Sequence, residues 1–407
     1  MRLLVLSNLL PPEAEGGLEL SCFEACLGLH RRGHDVQVVT QRRRGDTAVA
    51  DPFPVHRILE FSFPASHYGR DPRALPRLAR DTIVGARVAR RNEDLVARLA
   101  QRERVDVVAV WGFSGIGAGV ALPFVARGVP VVWCVGDYYL RDVLRPPLAR
   151  RLAGTLLAPR WQRIEAGLRP QRILVNSEFT RRGYLARGID PAVLHVVHRG
   201  IASGVIDAPA EPRDVPPTVF MPSRITPRKG VDVAVRALAA LRRRAPDLAV
   251  RLDVAGTGEP QHVRALEELV TTLGLGGHVR LLGLRDHAEI LSRMRRASAV
   301  VGASLVEEYF GRVNVEAMAC RVPLIVSATD NVREIGDDEV HLLAYPPGDA
   351  AALAERLQRV LTDPALADRL VRAAHQHVGE CFRQESIVER IERHLQEAIA
   401  AAPPSSR

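Results

Sequence analysis

Ala208-Pro209-Ala210-Glu211-Pro212-Arg213-Asp214-Val215-Pro216-Pro217 runs directly into Thr218-Val219-Phe220-Met221-Pro222, two kinds of chain side by side. The first part is too rich in proline for the interior of a helix or strand, because each proline removes an amide donor and fixes φ. It reads as a linker between domains. The second part is an apolar run of strand length, and from it an alternation of strand and helix starts afresh.

Short β-branched runs upstream of the junction read as strands: Leu3–Leu6, Val36–Thr40, Val105–Val110, Val129–Val135, Arg172–Asn176 and Val193–Val197. Helical stretches such as Leu18–Arg31 and Arg73–Gln101 lie between them. Downstream, strands at Thr218–Pro222, Val250–Ala255, Val279–Leu282, Ala299–Ala303 and Pro323–Ser327 alternate with helices at Val231–Arg244, Glu259–Thr272, around Glu289, and Val313–Ala319. Continuous apolar strands separated by amphipathic helices predict a parallel sheet covered on both faces. The expected organisation is two Rossmann-like, doubly wound α/β domains at 1–207 and 218–383, joined by the linker at 208–217. A last helix over 384–400 is expected to cross back to the first domain, and 401–407 to be a frayed tail. Such sheets place ligands at the carboxyl ends of their strands, so the expected site is the cleft between the two domains.

Composition narrows the class. The chain has 407 residues, 47% of them apolar, which suits a folded soluble protein with room for two domains. No apolar run reaches the eighteen residues or so of a spanning helix, and Met1-Arg2 leads straight into a strand, so neither a signal peptide nor a membrane span is expected. Five dispersed cysteines suit buried thiols of a reducing compartment, and the cytoplasm is the expected location. The net charge of +9 concentrates between Asp137 and Arg182, with ten arginines against four acids. That segment reads either as a solvated arginine-rich face or as peripheral contact with an anionic membrane or a phosphorylated partner. Nucleic acid is not expected, because aromatics make up only 5% and no recognition module is readable.

Of 56 basic residues, one alone is a lysine: Lys229, in Ser223-Arg224-Ile225-Thr226-Pro227-Arg228-Lys229-Gly230. A compact ammonium on a flexible stem, in a glycine-ended loop before a helix, suits the gripping of a phosphate, and Arg224 would clamp its neighbour. On this reading Lys229 falls in the first turn of the helix, where a cation opposes the dipole until an anion binds. Three further strand-end segments suit the same ligand. Gly16-Gly17 lets amides approach at a helix start, and Gly256 and Gly258 shape a second such joint. In Glu307-Glu308-Tyr309-Phe310-Gly311-Arg312-Val313-Asn314-Val315-Glu316, Glu308 ends a loop near the cleft and Glu316 enters an apolar helix. A carboxylate there is costly without partners, and ribose hydroxyls are suitable ones. The amides from Phe310 through Gly311, Arg312 and Val313 would face a phosphate.

The run from Glu308 to Pro323, with Arg224 and Lys229 upstream, resembles glycosyltransferase family 4, the retaining GT-B enzymes, whose signature is two glutamates separated by seven residues. Gly16-Gly17, Val175-Asn176-Ser177-Glu178-Phe179, Arg199-Gly200-Ile201, Ala255-Gly256-Thr257-Gly258 and Pro346-Pro347-Gly348-Asp349 fall in the family's order, so the resemblance covers nearly the whole chain. It implies a GT-B fold and a nucleoside-diphosphate-sugar donor, with UDP or GDP left open. Arg224 and Lys229 would hold the diphosphate, Glu316 the ribose, Glu308 the sugar, and backbone near Leu284 and Arg285 the base. It also implies retention of configuration without a metal or other cofactor, and an acceptor pocket built by the first domain around 41–72 and 137–165. Where the family carries a histidine at a first-domain strand end, this chain reads Cys134-Val135-Gly136-Asp137. Asp137 is then the polar candidate near the reacting centre, or simply the cap of the next helix. Two other departures are Arg321 in place of a glycine and Asp330-Asn331 in place of Gly-Gly. The alternatives left open are a sugar-nucleotide epimerase or hydrolase and a catalytically impaired binding protein. A nicotinamide oxidoreductase is disfavoured by the incomplete glycine fingerprints. The acceptor and the oligomeric state are not readable.

Overall fold

A computed structural model of the protein describes residues 1–13, 17–42, 50–61, 75–144, 164, 166–168 and 170–402. Two compact units emerge: residues 1–199 with 384–407, and residues 200–383.

The first unit is built on a parallel sheet of seven strands: β1 (Arg2–Ser7), β2 (Asp35–Gln41), β3 (Val55–Leu59), β4 (Val107–Trp111), β5 (Val131–Val135), β6 (Arg172–Val175) and β7 (Leu194–Val196). Their order in space is β3-β2-β1-β4-β5-β6-β7, so the chain reverses direction across the sheet between β1 and β4. Alternation along each strand feeds two separate cores. Leu4 and Leu6 face one, with Trp133 and Val96 of the helix Leu75–Arg102. Leu3 and Val5 face the other, with Cys22, Cys26 and Leu29 of the helix Gly17–Arg31. The interiors of β1, β4 and β5 are apolar throughout because helices cover both faces.

The helix Gln384–Ala401 belongs to this first unit. It buries Ile387, Val388, Ile391 and Leu395 against the Leu3–Val5 face, at the i, i+1, i+4 and i+8 positions of one helical stripe. Polar contacts flank that stripe: Arg32 and His34 each meet Glu392 at 2.7 Å, and Arg390 donates to the Val196 carbonyl at 2.7 Å.

The second unit repeats the plan with six parallel strands: β8 (Thr218–Pro222), β9 (Arg251–Ala255), β10 (Val279–Leu281), β11 (Ala299–Gly302), β12 (Leu324–Ser327) and β13 (Leu343–Tyr345). Their order is β10-β9-β8-β11-β12-β13, which places its reversal between β8 and β11. The proline-rich stretch 208–217 lies inside this unit, and the chain divides at Arg199/Gly200, not within that stretch. Hydrogen bonds tie it there. The Asp214 amide donates to the Arg296 carbonyl at 2.8 Å, Arg213 donates to the carbonyls of Arg295, Ala297 and Arg321, and Arg321 returns a bond to Ala208. Arg321 has φ 54, the left-handed conformation for which a glycine would carry no cost, so these bonds hold a strained arginine at a helix end.

Candidate functional site

At a doubly wound sheet's reversal point two neighbouring loops leave the strand ends in opposite directions and open a crevice between them. In the second unit those are the loops after β8 and β11, and they carry Arg224, Lys229 and Glu308.

The loop after β8 does not run smoothly into its helix. Pro227–Lys229 forms a separate 3-10 turn, Gly230 follows at φ 61, and the helix begins at Val231. Lys229 therefore stands two residues before the helix, a correction to its expected place in the first helical turn. Gly230 is required twice over: by its left-handed φ, and because a Cβ there would lie 2.1 Å from the Ala303 carbonyl oxygen. The Leu305 amide donates to the Arg228 carbonyl at 2.8 Å, locking the two loops edge to edge.

That registration brings Lys229 Nζ to 2.7 Å from Glu308 Oε1, each side chain 27% exposed. Ser304 also donates its hydroxyl to Glu308 Oε1. Burial pushes the Glu308 carboxyl up, but Lys229, Ser304 and the charge of Arg224 together outweigh it and hold the group below its ordinary value. Sequence reasoning assigns Lys229 to a phosphate and Glu308 to a sugar. The structure joins the two to each other.

The Glu308 loop is braced from β12. Both oxygens of Glu307 accept backbone amides, from Asp330 at 2.9 Å and Asn331 at 3.2 Å. Asn331, 1% exposed, accepts from the Glu308 amide at 3.3 Å and from the Thr329 hydroxyl at 2.9 Å, while its Nδ2 donates to the Phe310 carbonyl. The Asp330-Asn331 departure thus supplies a buried amide that ties down the loop carrying the first glutamate. The Phe310 ring is core, packed 5.9 Å from Phe382, whereas Val313 is exposed.

Glu316 is 3% exposed, in the helix Arg312–Ala319. Desolvation alone would raise its carboxyl, yet it too sits below the ordinary glutamate value. The Nε2–H of His287 at 2.9 Å and the Nε–H of Arg312 at 2.8 Å, both on Oε1, account for that. Sequence reasoning offered Glu316 only ribose hydroxyls, and it missed His287 altogether. The available signal was Asp286, an N-cap that accepts the Glu289 amide at 2.8 Å and so fixes His287 as the first residue of its helix.

Gly256 and Gly258 set how closely the neighbouring loops pack. A Cβ on Gly258 would lie 1.9 Å from the Ile225 carbonyl oxygen, and one on Gly256 2.1 Å from that of Ser223. These glycines let the loop after β9 pack on the loop of Arg224, with Ser223 donating to Ala255 and Ile225 to Thr257. The Gly256 amide in turn donates to Gly283 at 2.8 Å, joining the loop after β10, where Leu284 is 76% exposed and Arg285 pairs with Glu289 at 3.2 Å.

In the first unit Asp137 follows β5. Its Oδ1 accepts the Tyr139 amide at 2.9 Å at the start of the helix Tyr139–Leu144, and burial raises its carboxyl against the partial offset of that bond and of Arg199. These contacts are those of a helix cap. A Cβ on neighbouring Gly136 would meet Arg199 Nη2 at 3.1 Å and Asn176 Nδ2 at 3.2 Å, so the ground next to the absent imidazole is already occupied by donors. Gly17 opens its helix, while Gly16 lies outside the described residues, as do six of the ten arginines of the basic segment and most of the loops expected to bind an acceptor. No helix among the described residues is long and apolar enough to cross a membrane, and no cluster of ligating side chains suited to a metal occurs among them.

The family model described as glycosyl transferases group 1 matches residues 206–377, and that described as Glycosyltransferase Family 4 matches residues 15–204. A D-inositol 3-phosphate glycosyltransferase of Salinispora arenicola is 33% identical over 191 residues, 45% of this chain and 42% of that one, so the match spans less than half of the relative's length. Among solved structures, a glycosyltransferase from Rickettsia africae superposes with TM-score 0.73 at 18% identity, covering 98% of this chain and 100% of its own. The Anabaena protein HepE, crystallised with UDP and glucose, gives TM-score 0.70 at 20% identity over 97% and 99% of the two chains. At those identities the likeness is one of fold: two doubly wound α/β units in the GT-B arrangement of elements.

Proposed function

This chain belongs to glycosyltransferase family 4, and on that premise we propose that it transfers a sugar from a nucleoside-diphosphate-sugar to an acceptor hydroxyl with retention of configuration. The observation that carries the reading is the charge cluster at the reversal point of the second sheet, where Lys229 and Arg224 flank Glu308. A cation at 2.7 Å from a carboxylate, beside a second cation, is poised to exchange that partner for phosphate oxygens while the carboxylate turns to sugar hydroxyls.

In the proposed reaction the bond between the anomeric carbon and the diphosphate oxygen breaks while the acceptor oxygen attacks from the same face. The acceptor proton passes to the departing phosphate oxygen. Lys229 and Arg224 stabilise the charge that develops on the diphosphate, Glu308 holds the sugar in register, and Glu316 takes the ribose. No residue pair of the sequence forms the Asp-x-Asp triplet that would chelate a metal, so turnover is expected to survive EDTA. The acceptor falls to the first unit, and its identity and any anionic membrane carrying it belong to the same proposal.

HepE's UDP and glucose make UDP-glucose the first donor to test, with GDP-mannose as its counterpart. A thermal-shift screen against nucleotide sugars should raise the melting temperature for one of them, and Lys229→Ala and Glu316→Ala should each weaken that binding with the fold intact. Unchanged affinity in both variants would remove the site assignment. Complete loss of turnover in EDTA, restored by magnesium, would remove its metal-independence.

A further inference from the structure

The loop that would meet the nucleobase and the carboxylate that would meet the ribose are physically joined, and His287 is the joint. The residue sits at the start of the helix His287–Arg296, three positions beyond Leu284, and its Nε2–H reaches Glu316 Oε1 at 2.9 Å. Arg312 Nε–H meets the same oxygen at 2.8 Å. The terminal torsion of a glutamate is broad and two-fold, so one donor leaves the carboxylate free to swing. Two donors arriving on one oxygen from different helices fix its plane.

Arg312 is in the first turn of its helix, N-terminal to its partner by four residues. That arrangement opposes the helix dipole and is the weaker order for such a pair, so it contributes little to helix stability. The placement of both donors is better explained by what they do to Glu316. His287 is also the half-exposed member, its side chain 40% accessible against 9% for Arg312 and 4% for Glu316. It is the one of the three that a bound nucleoside would cover.

We propose that His287 is a positioning residue for nucleoside recognition: by holding Oε1 of Glu316 it presents Oε2 to the ribose hydroxyls, and it couples that presentation to the loop carrying Leu284 and Arg285. The inference rests on the nucleotide-sugar reading of the site and deepens it.

The test is calorimetric titration of the intact protein with UDP and GDP and with their 2′-deoxy and 3′-deoxy forms, in wild type, His287→Ala and His287→Gln. Wild type should prefer the ribonucleotide over at least one deoxy form by roughly tenfold or more, the size of one hydrogen bond to a charged acceptor. His287→Ala should compress that ratio to within about threefold through loss of ribonucleotide affinity alone, and His287→Gln, which keeps a donor, should recover part of it. A full ratio retained in His287→Ala would overturn the assignment while leaving the nucleotide site standing. Equal binding of ribo and deoxy forms by wild type would overturn it by removing Glu316 from the ribose. Failure of wild type to bind either nucleotide would sink the underlying reading and this inference with it.

Discussion

Replacing Lys229 by alanine strips Glu308 of its cation and leaves a mostly covered carboxylate with Ser304 as its nearest donor. The cost lies between two limits. Exposed ion pairs contribute about 0.2–1 kcal/mol, whereas orphaning one partner of a fully buried pair costs about 3–5 kcal/mol. With both side chains 27% exposed, we expect about 2 kcal/mol for Lys229→Ala. For a unit of this size that is a fall of roughly 4–8 °C in melting temperature. Glu308→Gln should cost less, about 1 kcal/mol, because a lone lysine on a flexible stem can turn to water. The double variant should cost about as much as the larger single change, giving a coupling of about 1 kcal/mol in the double-mutant cycle. The same lysine should matter to the ligand: Lys229→Ala is expected to weaken UDP or GDP roughly 10- to 100-fold and the matching monophosphate much less. Thermal or urea unfolding supplies the cycle and calorimetry the affinities. A coupling below about 0.3 kcal/mol, with equal losses for mono- and diphosphate, would refute the reasoning from charge pairing.

Three further outcomes are expected. Glu308 and Glu316 both titrate below the ordinary glutamate value of 4.5, so their contribution to stability is complete above that pH and is lost as pH falls through their folded values. Melting curves of Glu308→Gln and Glu316→Gln should therefore converge on wild type in acid, and a constant gap at every pH would contradict the assignment. Asp137 has the opposite sign: its folded value lies above the ordinary 3.8, so its charge costs stability at neutral pH. Asp137→Asn keeps an acceptor for the Tyr139 amide and should melt at or above wild type at pH 7, the gain vanishing below about pH 4; a large fall at neutral pH would disprove the cap. Gly258→Ala should cost about 1–3 kcal/mol and weaken nucleotide binding through displacement of the Arg224 loop, since its methyl would collide with the Ile225 carbonyl. A variant with wild-type melting and affinity would show that the two loops are not packed as described.

The alternation of largely apolar strands and amphipathic helices made both sheets legible, because strands covered on two faces carry few polar residues to confuse the pattern. Two of the four edge strands escaped. Val55–Leu59 contains His56 and Arg57, as an edge can, and Leu343–Tyr345 is three residues long, too short to show a period. At the site, the residue types were readable but their pairings were not. Lys229 and Glu308 are 79 residues apart, and only the parallel adjacency of β8 and β11 brings their loops together. His287 carried no signal of its own, since a histidine at a helix start is unremarkable until the strand order sets it beside Glu316. The proline-rich stretch misplaced the boundary because composition marks irregular chain, whereas the bonds from its Arg213 to the carbonyls of Arg295 and Ala297, and from Arg321 to its Ala208 carbonyl, decide which unit it joins.

The return of Gln384–Ala401 to the first sheet sets an order of assembly on the ribosome. Residues 200–383 form a self-contained insertion whose two ends lie together, the Ile201 amide donating to the Phe382 carbonyl at 2.7 Å. Translation therefore delivers a first sheet with one apolar flank uncovered, then an entire second body, and only afterwards the helix that seals that flank. Nascent chains halted before residue 384 should hold a protease-resistant insertion attached to a sticky, chaperone-dependent first half, and release of the last helix should be the step that frees them.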